Sequence, residues 1–220
     1  MIKKIAINDL YDCKIEYLKS YFDYHKYPWE LISNLKDFIK MLLDNPPEGF
    51  SVYADGILVG NKVKIYPTAV IEAPAIIGEG TVIRPGAFIR GSVIVGKNCV
   101  VGNSTELKNC ILLDDVQVPH YNYVGDSVLG NHAHMGAGSI LSNVKADNKN
   151  VVIHSDVDTP TGLRKVGAFL GDGADIGCGC VLNPGTVVGK NTSVYPLTCL
   201  RGVYPCDCIV KEKDVVVKRK

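Results

Sequence analysis

Residues 71–107 read IEAPAIIGEGTVIRPGAFIRGSVIVGKNCVVGNSTEL, and the rhythm of this stretch decides the fold. Ile71, Ile77, Ile83, Ile89, Val95, Val101 and Leu107 recur at six-residue intervals, a period that matches neither the roughly 3.6 of a helix nor the two of a strand. Four residues after each anchor stands a small or β-branched side chain: Ala75, Thr81, Ala87, Val93, Cys99 and Thr105. Glycine follows the anchor directly at Gly78, Gly96 and Gly102. Such a pattern describes a solenoid in which each hexad is a short strand and a turn, with the anchor pointing inward. Three hexads, about 18 residues, would make one triangular coil.

Working outward, the phase extends upstream through Ile65 and Val59 to Tyr53 and downstream to Leu113. Beyond it, Val118–Lys149 (VPHYNYVGDSVLGNHAHMGAGSILSNVKADNK) reads as the first break in the rhythm and as a concentration of polar and ionisable residues. The hexads return at Leu129, Met135 and Leu141, and again at Leu170, Ile176, Leu182, Val188, Val194 and Leu200. Residues 144–166 leave the repeat and read as a protruding loop of the long kind that is usually functional. The expected organisation is an α-helical segment over 1–52, a coil over 53–205 and a C-terminal tail over 206–220, ending in the basic run KDVVVKRK. Within residues 10–44 Ile32, Leu35, Ile39 and Leu42 keep helical spacing and Pro28 suits a first helical position, so two short helices are expected there, before the stop at Asn45-Pro46-Pro47.

Composition narrows the partners. With 24 Lys plus Arg against 23 Asp plus Glu, the net charge of +1 gives no global reason to expect nucleic acid or an anionic membrane. No apolar run approaches the roughly 20 residues of a membrane span, and MIKKIAINDLYD lacks the apolar core of a signal peptide, so a cytoplasmic location is expected. Eight cysteines in such a chain read as reduced thiols rather than a disulfide framework. The pairs Cys178-Gly-Cys180 and Cys206-Asp-Cys208 lack the usual two-residue gap of a zinc knuckle, and His132-x-His134 lacks an evident third ligand, so no metal is expected.

The repeat resembles the hexapeptide transferase family, and the resemblance spans residues 53–205. It implies a mainly β fold, a left-handed parallel β-helix, assembled as a homotrimer with active sites between subunits. The hand rests on the resemblance alone, because the general crossover rule is right-handed. Within the family, His120-Tyr121-Asn122-Tyr123-Val124-Gly125-Asp126, then Gly136-Ala137-Gly138-Ser139-Ile140 and Asn143, are similar to the acetyltransferase domain of the bifunctional N-acetylglucosamine-1-phosphate uridyltransferases. The similarity is closer still to archaeal sugar-1-phosphate nucleotidylyltransferases that carry an amino-sugar acetyltransferase domain, which the segment Arg164–Gly171 also resembles.

That resemblance implies a site. His120 would be the catalytic base, with an ordinary pKa of about 6.5, and Glu106 would orient it. Arg84 and Lys108 would hold a phosphate, Arg84 through a bidentate fork and Lys108 as a point charge. Tyr123, Asn143 and Lys149 would bind the sugar or its phosphate. His134 stands where relatives have a substrate-contacting asparagine. Small residues at Gly136-Ala137-Gly138 would leave backbone N–H groups open to the thioester carbonyl of acetyl-coenzyme A, the expected co-substrate, whose arm would pass Ala137, Cys178 and Pro196. The amine would attack directly, without a cysteine acyl-enzyme. Residues 1–52 carry no Gly-rich phosphate loop, so uridyl transfer is not expected of this chain. The expected activity is therefore N-acetylation of an amino-sugar phosphate, with glucosamine 1-phosphate as acceptor. Two readings stand beside it: a non-catalytic sugar-phosphate or sugar-nucleotide binding module that scaffolds a separate nucleotidyltransferase, and a γ-carbonic-anhydrase-like hydratase, which needs three convergent histidines.

Overall fold

Short hexads cannot bury a face alone, but stacked in register they build a continuous core. In the computed structural model, which describes residues 4–219, this is what the anchors do. Parallel pairs such as Ile77 with Val95 and Ile83 with Val101 set each coil on the one before it. The result is the mainly β, left-handed parallel β-helix expected, with a short helical N-terminal segment. One ladder of inward side chains runs Ile71, Ile89, Leu107, Val124, Leu141, Leu182, Leu200. A second runs Val59, Ile77, Val95, Leu112, Leu129, Leu170, Val188, Tyr204. The third runs Ile65, Ile83, Val101, Val118, Met135, Ile176, Val194, Val210.

The rhythm breaks earlier than Val118. Val95 pairs with Leu112 rather than Leu113, and Leu112 with Leu129, so each of these coils is one residue short. The missing residues fall at Asn109 and Asp126, which take left-handed conformations at φ 48° and 49°. There the strands Glu106–Leu112 and Tyr123–Leu129 turn the corner without interruption. Leu113 is buried all the same, but on the outside of the coil. Tyr53 is no anchor either. Phe50–Ala54 folds back antiparallel on Ile57–Gly60, leaving Tyr53 55% exposed.

Among the described residues three helices cover the outer side of the second face: α1 (Ile7–Leu10), ahead of the stretch read as helical, and α2 (Glu16–Tyr24) and α3 (Pro28–Asp44) within it. Pro28 opens α3, and the Glu30 carboxylate accepts from the backbone N–H groups of Lys26 and Tyr27 at 2.8 Å, satisfying donors before the first turn. The buried stripe of α3 joins Leu58, Ile76, Ile94, Ile111, Val128, Phe169, Val187 and Val203 in a second core. Phe169 is fully buried there, its ring centroid 6.1 Å from that of Trp29. Truncating Phe169→Ala should destabilise the fold by about 3–5 kcal/mol, measurable as a lower urea midpoint.

The segment expected to protrude folds back instead. A bridge between Val144 and Lys165 closes its base, Val152–Ile153 pairs with Thr159–Pro160, and Val151, Ile153 and Val166 are buried in the second core. The C-terminal residues also differ from a solvated tail. Cys208–Glu212 extends the third face and Val215–Lys218 turns back on it as an antiparallel strand.

Candidate active site

The candidate residues fall on two neighbouring edges of the coil. Along the edge between the third and first faces, backbone bonds join successive turns: Tyr121 N–H to Asn103 O, Gly138 N–H to His120 O, Gly179 N–H to Ala137 O, and Leu197 N–H to Cys178 O. His120, Ala137, Cys178 and Pro196 are thereby stacked on one exposed edge. Arg84, half-buried, occupies the same edge two coils before His120.

His120 owes its setting to Asn122, a buried residue whose role the sequence did not signal. Asn122 accepts the His120 N–H through Oδ1 at 3.1 Å and donates through Nδ2 to Gly136 O at 2.8 Å, tying two coils together. The imidazole itself is exposed and has no side-chain partner among the described residues. Of the three small residues opposite, Gly136 N–H donates to Ile176 O and Gly138 N–H to His120 O. Ala137 N–H is the one left without an acceptor among the described residues.

The outer surface of the first face carries the second group. Glu106 lies beside Tyr123, and Lys108 beside Gly125. Gly125 has a packing reason, since a Cβ there would lie 2.5 Å from the Tyr123 hydroxyl. Burial raises the Tyr123 pKa, with smaller contributions from Asp126 and Glu106, so its hydroxyl is a donor at neutral pH. Glu106 does not meet His120. Its Oε1 accepts from Arg90 Nη1 at 2.7 Å: Phe88 holds the matching position one coil earlier, and Arg90, two residues on, reaches across diagonally.

At the adjoining corner Asp126, only 4% exposed, collects three partners. Asn109 Nδ2 donates to Oδ1 at 2.8 Å, Asn143 Nδ2 to Oδ2 at 2.5 Å, and Lys108 Nζ stands 3.6 Å from Oδ2. Gly167 N–H adds a bond to the Asp126 carbonyl, so both ends of the folded-back segment are fastened to this residue. The segment also carries Lys149, which is exposed and, among the described residues, bonds through its backbone N–H, to Asp147 Oδ1 at 3.1 Å.

His134 sits on the third face, its Nδ1 2.8 Å from Asp175 Oδ1 on the next coil. His132 takes a left-handed turn conformation and faces Asp115 at 3.7 Å, so the two histidines diverge. All eight cysteines are free, and no group of three or more His, Cys, Asp or Glu among the described residues could hold a metal. No helix among the described residues is long and apolar enough to cross a membrane.

The coil is built of hexapeptide repeats, and its similarities are to proteins of the acyltransferase type. A family model of the GMPPB C-terminal domain matches residues 71–163. The bifunctional protein GlmU of Methanococcus maripaludis (strain DSM 14266) is 30% identical over 208 residues, covering 92% of this chain and 50% of that protein. The bifunctional sugar-1-phosphate nucleotidylyltransferase/acetyltransferase of Sulfurisphaera tokodaii is 34% identical over 196 residues, 83% of this chain and 46% of that one. The chain thus spans half or less of the length of these curated relatives. Among solved structures, the UDP-N-acetylglucosamine acyltransferase of Campylobacter jejuni covers 70% of this chain and 74% of its own, at 17% identity and a TM-score of 0.42.

Proposed function

We propose that the chain is an acetyl-coenzyme A dependent N-acetyltransferase that acts on an amino-sugar phosphate, with glucosamine 1-phosphate as the acceptor. One observation carries this reading: an unengaged imidazole at His120 shares an edge with an unengaged backbone donor at Ala137, beside a face bearing Lys108 and Tyr123. Acyl transfer needs a base, an oxyanion donor and an anchor for the acceptor. The amine nitrogen attacks the thioester carbonyl, and His120 takes the proton it sheds. Ala137 N–H donates to the developing oxyanion, and collapse of the tetrahedral adduct expels the coenzyme A thiolate. Arg84 and Lys108 hold the phosphate, Tyr123, Asn143 and Lys149 the sugar, and His134 the acceptor from the third face. Glu106 keeps Arg90 in place rather than orienting His120. The coenzyme arm runs past Cys178 and Pro196. Because His120 lies on an open edge, a second copy in a homotrimer supplies the opposite wall.

Thiol labelling tests the track. Cys178 and Cys199 are exposed, whereas burial pushes the Cys13 thiol up to about 11 and the Cys99 thiol up to about 12. Since the thiolate is the nucleophile, maleimide should reach Cys178 and Cys199 ahead of these two. Acetyl-coenzyme A should slow labelling of Cys178 and leave Cys199 unchanged; equal rates with and without it would remove the track from this edge. The activity itself is tested by incubating the protein with acetyl-coenzyme A and a panel of amino-sugar phosphates and weighing the products.

The pairing of Glu106 with Arg90, which leaves His120 without a carboxylate, favours a second reading. In it the chain binds sugar phosphates without turnover and scaffolds a separate nucleotidyltransferase. Saturable sugar-phosphate binding with no acetylated product would support it.

A further inference from the structure

Away from the His120 edge, two open cavities of about 520 and 510 Å³ meet at the base of the folded-back segment. His154 and Arg201 line both. Arg201 stands at the corner between the first and second faces, where the strand Cys199–Leu200 ends. Its neighbour Gly202, at φ 94°, lets the segment come close: a Cβ there would lie 2.9 Å from the His154 carbonyl oxygen. The segment is thus seated on this corner by backbone shape, and His154 reaches Arg201 as a result.

The contact fixes a tautomer. Arg201 Nη2 lies 2.9 Å from His154 Nε2, and a guanidinium only donates, so Nε2 must accept. Nδ1 then carries the proton and donates to Asp158, whose carboxylate oxygens are both at 3.2 Å. Asp158, His154 and Arg201 form a directed chain that holds the guanidinium through a single nitrogen. Arg201 makes no ion pair with a carboxylate among the described residues. Arg201 lines both cavities, and its bond to His154 uses Nη2 alone.

Each cavity adds a lysine. Lys213 lines the first, together with Tyr204, Ser155 and Asp214. Lys145 lines the second, with Ser142 and Asn183. Asp147, also in the second cavity, is spoken for: the Lys149 N–H and then Lys145 hold its carboxyl below the usual range. Cations at both ends of a two-lobed space, with an unpaired guanidinium between them, suit an anion with two separated charge centres. Arg binds phosphate oxygens in a planar fork, and lysines serve as point charges at either side.

We propose that the joined cavities around Arg201 bind a diphosphate, either free pyrophosphate or the diphosphate of a nucleoside diphosphate. The site lies on a different corner from the proposed coenzyme track and shares no residue with it.

Titration of the full chain with inorganic pyrophosphate, inorganic phosphate and a nucleoside diphosphate, followed calorimetrically without acetyl-coenzyme A, tests this. Pyrophosphate is expected to bind saturably and more tightly than phosphate. Arg201→Met should weaken it at least tenfold, a difference of about 1.4 kcal/mol, while Lys62→Met, on the distant first coil, should leave it unchanged. Lys145→Met and Lys213→Met should each weaken it several-fold. A nucleoside diphosphate binding more tightly than pyrophosphate assigns the nucleotide as the source, and equal affinities assign free diphosphate. Absence of saturable binding, equal affinity for phosphate and pyrophosphate, or an Arg201→Met variant that binds like wild type while keeping its melting temperature would each overturn the proposal. None of these readouts depends on acetyl transfer.

Discussion

Replacing His120 with alanine is expected to lower the kcat for acetyl transfer by about 10²–10⁴-fold, the usual contribution of a positioned general base. The folded state should be untouched. The imidazole is exposed and makes no side-chain bond, and the turn around it is held by Asn122 through the His120 backbone. The unfolding midpoint and the oligomeric state should therefore match wild type. A variant that keeps wild-type turnover would remove His120 from the chemistry.

The second large effect is expected at Asp126. Its carboxylate is nearly sealed from solvent and serves Asn109, Asn143 and Lys108 together. Asp126→Ala takes this partner from all three; Asn109 Nδ2 keeps its 3.2 Å bond to Ile32 O, while the Asn143 amide and Lys108 lose the carboxylate that holds them. Breaking such a buried pair costs roughly 3–5 kcal/mol, and Lys108, about a quarter exposed, places the loss near the lower end. Alanine is also less tolerant than aspartate of the left-handed conformation at φ 49°. Asp126→Asn, which tolerates that conformation but cannot accept from both amides, should lose less. Urea unfolding of the two variants should rank them in that order; an alanine variant as stable as wild type would show that the segment is fastened elsewhere.

The sequence told the coil apart from other folds because each hexad repeats the same local bargain of anchor, small residue and turn. It misled where that bargain changes silently. Ile111, Leu112 and Leu113 are all aliphatic, so the loss of one residue at Asn109 left the apparent phase intact. Only the pairing of Leu112 with Val95 reveals that the inward and outward roles have exchanged. The hand of the helix was legible only through resemblance, since strand sterics alone argue for the opposite one.

Site residues close in sequence, such as His120 and Tyr123, were placed readily on adjoining surfaces. Partners one coil away were not. Arg90 meets Glu106 across 16 positions and Asp175 meets His134 across 41. The first separation is two residues short of the coil spacing that sets Glu106 opposite Phe88, a diagonal that shows only once the register is known. The second includes the folded-back segment and follows from nothing local. Asn122, buried between His120 and Gly136, stood within the His120–Asp126 motif with nothing local to mark its bonding role.

The most direct test of the account is a mass measurement on the products formed from glucosamine 1-phosphate and acetyl-coenzyme A labelled with carbon-13 in the acetyl group. The label is expected on the sugar nitrogen, with one free coenzyme A formed per labelled product. Unchanged acetyl-coenzyme A beside a saturably bound, unmodified sugar phosphate would contradict it.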